Sequence, residues 1–391
     1  MQRRHFLAAG AATLAAASAP SWPRICSSSV QEVSSHPPAF AVVPVVGDGK
    51  WIWTEPPKEK GYLEPRPHGL SIGVELQGEG DATMIRGSTP VPIEWPEQTI
   101  DDVQIETDGC EARLQQVGEG AAQLLLAASS IRRGQTIRAI AHYKLTLKKQ
   151  YLGHQADRFP AEQPEVPPAI RKQYLQDSPG IQTSSTEVRK LHRELIVARS
   201  ASEGNERDDS MHPWDLVKSF QAWVGKNMTP KRGRFTGVIN ALKNKVGDCE
   251  EMAGIMVALC RASGIPARLV WIPNHNWAEF YLTDNDGQGH WIPAHTSCYA
   301  WLGWTGVHEL VIQKGDRVTP AHEKRPQRLL EDWLQWSGKQ PRARYIADLT
   351  PLASPGSEDS DPGPGARVKD AATGEWKLTF KHDMDRYLRN G

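Results

Sequence analysis

The clearest alternation of apolar and polar positions runs from Gln135 to Lys148. Ile137, Ala139, Ala141, Tyr143, Leu145 and Leu147 fall on one face, and Arg138, His142, Lys144, Thr146 and Lys148 on the other. A period of two marks a strand with one buried face. From Leu70 to Gln150 short apolar runs are separated by Gly, Pro and Asp, which predicts a β-sandwich. Phe40–Trp53 reads as two short strands around a Gly-Asp-Gly turn, and Pro56–Gly69 as a loop. Past Pro164 the spacing becomes helical. Pro167–Gly180 and Thr186–Ser200 read as helices, the second capped by Ser185 or Thr186. His212–Met228 follows as a helix, with Trp214, Val217, Phe220 or Gln221, and Val224 on its inner face.

The strongest helix signal begins at Gly247. Asp248 is a good N-cap, and Glu251 completes a capping box. Ala253, Met256, Val257 and Cys260 form the buried stripe, and Gly264 stops the helix. Asn274–Leu282 then alternates. His275, Trp277, Glu279 and Tyr281 share one face, and Ala278, Phe280 and Leu282 the other. Thr283–Gly289 is a turn and His290–Ser297 a returning strand. Antiparallel pairing with Leu282 opposite His290 sets His275 across from Ser297, with His295 as its diagonal neighbour. Leu352–Val368, rich in Pro, Gly, Ser and Asp, reads as a disordered linker. Gly374–Gly391 is expected to add a strand and a helical turn.

Composition narrows the function classes. Lys+Arg and Asp+Glu are both 46 in 391 residues, so no net field draws the chain to nucleic acid or an anionic membrane. The first residues carry Arg3-Arg4, then Phe6-Leu7 and a small apolar run to about Ala19. That order resembles a twin-arginine export leader and is too short to span a bilayer. The expected location is periplasmic or extracellular, with no stable membrane insertion after the leader is removed. The five cysteines, Cys26, Cys110, Cys249, Cys260 and Cys298, are odd in number and scattered. No disulfide framework is implied, and at least one thiol stays free.

Cys249 has a special place among them. It occupies the first turn of the capped helix, where the helix dipole and free N–H groups favour a thiolate. Cys260 reads as core filler. A helix-start cysteine, a strand histidine at 275 and a third polar group are the parts of a Cys-His nucleophile site. In such a site the Cys249 N–H and a neighbouring donor hold the oxyanion. His275, His290, His295 and Cys298 match no familiar zinc spacing, so no metal is expected.

Lys245–Arg268 ("KVGDCEEMAGIMVALCRASGIPAR"), "HNWAEFYL" and "HWIPAH" closely resemble the three core motifs of the transglutaminase-like superfamily. The resemblance extends over about Trp214–Thr319, and exported bacterial members carry comparable β-rich partner domains. It implies an α+β fold with a papain-like core, no cofactor, Cys249 as nucleophile and His275 as general base and acid. The third residue of the motif is usually Asp and is here His295. Three readings stand open. His295 orients His275 as a neutral acceptor, or Asp284 or Asp286 takes that role from the turn, or the site is weakened. Trp277 is expected to pack under the site, Glu279 to bind a buried Arg such as Arg268, and Asp248 to act chiefly as a cap.

The organisation this predicts is a leader over 1–26, a linker with short strands over 27–66, a β-rich domain over 67–152, and a transglutaminase-like domain over 160–350. A linker over 351–367 and a tail over 368–391 complete it. The expected function is thioester chemistry on amide or peptide bonds, by hydrolysis or acyl transfer. The substrate would be a protein, a peptide or a cell-wall amide. The alternative is a non-catalytic peptide- or glycan-binding module.

Overall fold

The computed structural model describes residues 53, 56–153, 158–202, 212–231, 233–273, 275–296, 301–320, 322–352, 367–369 and 376–378. The expected leader, all but Trp53 of the strand pair at Phe40–Trp53, Cys26, Cys298 and most of the C-terminal tail lie outside them. Six strands come first: β1 (Gly61–Gln77), β2 (Ala82–Val91), β3 (Gln98–Asp108), β4 (Glu111–Val117), β5 (Ala121–Ile131) and β6 (Thr136–Tyr151). β6 is the strand with the predicted alternation, and its Ile137, Ala139, Ala141, Tyr143, Leu145 and Leu147 are all buried. It pairs antiparallel with β1 on one side and β3 on the other. β5 pairs with β2 and β4 in a second sheet. The faces meet in one apolar layer that includes Leu70, Ile72, Val74, Leu76, Ile85, Leu124 and Leu126. Each such side chain contributes about 1.5–3 kcal/mol of burial.

β1 begins at Gly61, inside the stretch the sequence presents as a loop. A register shift between Leu63 and Arg66 explains the difference. Glu64 takes a left-handed φ of 52° there, and Pro65 follows it. A bulge breaks the period of two that would have identified the strand.

The helices follow: α1 (Pro168–Tyr174), α2 (Thr186–Ser202), α3 (Pro213–Asn227), α4 (Val238–Asn244) and α5 (Cys249–Ala262). The short β7 (Thr229–Pro230) and β8 (Val246–Gly247) pair in parallel around α4. After α5 come β9 (Ala267–Ile272), β10 (His275–Thr283) and β11 (Gly289–Ala294). Leu282 pairs with His290, the register expected from the turn. α5 is the buried centre of this half. Ile255, Met256, Val257, Ala258 and Leu259 are fully covered, and Ala278, Phe280 and Leu282 of β10 belong to the same apolar cluster. Gly264, with φ of +74°, ends the helix as a left-handed residue. The far end is tied down by a buried ion pair, Arg261 to Asp316 at 2.7 Å. Among the described residues no helix is long and apolar enough to cross a membrane.

Four further strands follow: β12 (Trp304–Thr305), β13 (Gln313–Lys314), β14 (Trp333–Gly338) and β15 (Arg342–Pro351). Gln313 of β13 pairs with Ala121 of β5 and with Trp271 of β9. One eight-stranded sheet therefore runs from β11 through β10, β9, β13, β5 and β2 to β14, with β4 beside β5. β14 pairs with β2 and β15 with β1. Residues 333–350, read from the sequence as part of the 160–350 domain, are thus paired into the sandwich. β16 (Arg367–Lys369) and β17 (Trp376–Leu378) form a separate two-stranded ladder.

Candidate active site

The start of α5 is held by three acidic residues. Asp248 Oδ1 accepts from the Cys249 N–H at 2.7 Å, and Oδ2 accepts from the Gly233 N–H at 3.4 Å. Glu251 completes the box: Oε2 accepts from the Asp248 N–H at 2.8 Å, and Oε1 accepts from the Thr236 N–H at 2.6 Å. A Cβ on residue 247 would lie 2.7 Å from Glu251 Cβ, so only glycine lets the box close. Glu250 pairs with Arg328, whose guanidinium lies 4.3 Å from the centre of the Phe235 ring.

Cys249 is half-buried, not sealed. Its thiol is nevertheless pushed up to about 12, first by burial and then by the Asp248 carboxylate, with Glu250 adding to the rise. The backbone N–H of Asn276 donates toward the sulfur and opposes that rise. This corrects the expectation of a resting thiolate. The dipole at a helix start contributes about 0.3–1 kcal/mol, less than one pKa unit, and burial beside carboxylates outweighs it.

His275 opens β10, next to the residue that touches the sulfur. Burial lowers its imidazole to about 4, opposed by the Asp248 carboxylate. Asp248 is the one charged side chain among the causes of that shift, so its role extends beyond the cap. Cys249 and His275 thus lie within the field of the same carboxylate, both neutral at pH 7.

His295 sits one residue past β11 and is 2% exposed. Its ring stacks with His275 at 6.4 Å between centroids and with Trp277 at 4.8 Å, while Trp301 meets it edge-on at 5.3 Å. Nε2 lies 3.1 Å from Thr305 Oγ1, which accepts from Gln150 Nε2 at 3.2 Å. Gln221 Nε2 donates to the carbonyls of His295 and Trp301 at 2.7 and 2.9 Å. Burial and the neighbouring His275 hold this imidazole well below its ordinary range. His295 is therefore a fixed, neutral ring beside His275.

The carboxylates of the turn do not reach it. Asp284 closes the hairpin, accepting from the Asp286 and Gln288 N–H groups at 3.0 and 2.9 Å and bonding His290 Nε2 at 2.7 Å. The length of β10, at about 3.3 Å per residue, puts it roughly 30 Å from His275.

The remaining expected residues are buried in the packing around the site. Trp277 is 1% exposed and packs with Val270, Ile272 and Val311. Glu279 binds Arg268 at 2.7 Å, as the sequence suggested, and also Lys314 at 2.7 Å. Lys314 continues to Glu97 of the sandwich half at 2.5 Å. Burial alone would raise Glu279, but Lys314 and Arg268 hold it below its ordinary value. Thr305, Gln150 and Lys314 carry no signal of their own in the sequence and reach this region only through strand pairing. Among the described residues no three His, Cys, Asp or Glu side chains gather as metal ligands. A cavity of about 790 Å³ opens in the sandwich, lined by Met84, Cys110 and Trp336 among others, and none of the site residues borders it.

No curated protein matches the chain. Solved structures similar to it include two candidate proteases. A protein from Cytophaga hutchinsonii, described as a candidate cysteine protease, is 14% identical over 77% of this chain and 94% of its own, with a TM-score of 0.49. A candidate protease from Parabacteroides distasonis is 13% identical over 61% of this chain, with a TM-score of 0.23, and this chain spans about half of its length (48%). Residues 201–296 match the core model of the transglutaminase-like superfamily, a span that includes Cys249, His275 and His295. Over those residues the chain is similar to the transglutaminase-like superfamily, and its fold is of the α+β class, with five helices beside large antiparallel sheets.

Proposed function

We propose that the protein is a cysteine enzyme that cleaves or transfers acyl groups at amide bonds, with Cys249 as nucleophile and His275 as general base and acid. The observation that carries this reading is the half-exposed Cys249 at a capped helix start, contacted by the residue after His275 and sharing the Asp248 field with it. The resting pair is thiol and neutral imidazole. As Sγ attacks the substrate carbonyl, its proton passes to His275 and the C–S bond forms. The imidazolium is stabilised by Asp248, and the neutral His295 ring fixes its orientation. It then gives the proton to the leaving amine as the C–N bond breaks. Water or an amine attacks the thioester and returns the thiol. The order of residues at the N-terminus favours export, so a peptide or cell-wall amide outside the cytoplasm is the proposed substrate class.

A second reading, a peptide- or glycan-binding module, draws on the raised thiol and on His295 in place of Asp. One experiment separates them. The purified chain is incubated with a glutamine-containing peptide, with and without a primary amine, and products and Cys249 adducts are followed by mass spectrometry. Turnover lost in Cys249→Ala supports the enzyme. Peptide binding without turnover, unchanged in Cys249→Ala, supports the module.

A further inference from the structure

An acyl-transfer site needs donors aimed at the developing oxyanion. The donors around Cys249 are mostly spoken for. Its own N–H is bonded to the Asp248 carboxylate at 2.7 Å, and the N–H of Glu251 is also taken by Asp248 in the capping box. Gly233 N–H goes to Asp248 and Thr236 N–H to Glu251. The Gln221 amide is committed to two carbonyls. This overturns the expectation that Cys249 N–H serves the oxyanion.

Asn276 is different. It is 3% exposed, its Oδ1 is buried with no hydrogen-bond partner, and its side-chain amide bonds to none of the described residues. Leaving a buried amide unbonded costs about 1–3 kcal/mol. The alternation of β10 puts its side chain on the face of Ala278 and Phe280, which pack with α5, and its backbone N–H meets the Cys249 sulfur. Trp277 Nε1 is also buried and unbonded, but Trp277 packs on the opposite face with Val270 and Val311.

We propose that the Asn276 side-chain amide is a catalytic group that donates a hydrogen bond from Nδ2 to the substrate carbonyl oxygen as it becomes an oxyanion. The inference rests on the acyl-transfer reading above. In each turnover the oxygen gains charge as the C–S bond forms and loses it when the carbonyl reforms, so the amide gives no proton and is unchanged at the end.

The test compares two reactions of the same sulfur in the full chain. Acylation by p-nitrophenyl acetate passes through an oxyanion, whereas alkylation by iodoacetamide is a direct displacement and builds none. Asn276→Ala is expected to slow Cys249 acylation about 10²–10³-fold and to change alkylation by less than about twofold. Asn276→Asp, of the same shape, is expected to slow acylation at least as much. Equal losses in both reactions, or acylation at the wild-type rate in either variant, would overturn the role of Asn276 while leaving Cys249 as nucleophile. Absence of Cys249 acylation in the wild-type chain would overturn the acyl-transfer reading itself, and the Asn276 role with it.

Discussion

Replacing Asp248 by Asn is expected to move two reactions of Cys249 in opposite directions. The carboxylate is the second-largest cause, after burial, of the rise of the thiol to about 12. At pH 7.5 such a thiol is ionised to roughly 3 parts in 10⁵, against about one part in ten for an ordinary cysteine near 8.5. Wild-type Cys249 should therefore react with iodoacetamide about 10³-fold more slowly than a free thiol, with a rate that climbs tenfold per pH unit from 7 to 10. Asn keeps the helix cap, since both residue types cap well. It removes the charge, so the thiol falls and alkylation at pH 8 accelerates severalfold. The same change strips His275 of the carboxylate that opposes its lowering. The imidazolium formed during acyl transfer loses support, and acylation by p-nitrophenyl acetate slows. The assay is tryptic mass spectrometry of the Cys249 peptide, which separates it from the other cysteines. An alkylation rate that is flat between pH 6 and 9 in the wild type would refute the reasoning, because it would report a preformed thiolate–imidazolium pair. Both reactions moving together in Asp248→Asn would refute it equally.

Other outcomes follow from the same structure. His295→Asp places a carboxylate beside His275, and it is expected to raise amide or ester turnover about tenfold and move the acid limb of the pH profile upward; slower turnover would show that the His295 ring has a role of its own. The native chain keeps His68, His275 and His308 neutral down to about 4, all three chiefly through burial. The unfolded chain binds their protons from about 6.5, so stability is fully present above that pH and falls as pH drops toward 4, by about 1.4 kcal/mol per unit for each histidine; a urea midpoint unchanged between pH 7 and 5 would contradict this. Glu279→Gln leaves the buried Arg268 without its carboxylate and Lys314 with Glu97 alone, a loss of about 3–5 kcal/mol to be read as a lower melting temperature. Phe280→Ala opens a cavity between β10 and α5 and should cost a similar 3–5 kcal/mol.

The parts of the fold written in local spacing were legible. The alternation of β6, the Asp248–Gly264 helix and the turn that sets Leu282 against His290 depend on neighbours within a few residues. The parts set by distant pairing were not. β14 and β15 join β2 and β1 across more than 240 positions, as between Ser88 and Trp333, and nothing in their own short patterns names the partner. β13 links β9 to β5 within one sheet with two residues, too few to show a period. At the site, residue types were readable but their fields were not. The helix-start position of Cys249 favours a thiolate, while the folded burial and the orientation of Asp248 determine the opposite. His295 was visible as a departure from Asp, whereas its clamp by Thr305 and Gln221 exists only once β12 and α3 are packed around it.

The most direct test is single-turnover acylation at pH 7.5, with the adduct located by mass spectrometry in wild-type and His275→Ala chains. The account predicts an acyl group on Cys249 that forms at least about 100-fold more slowly without the imidazole. An adduct confined to other residues, or equal rates in the two chains, would contradict it.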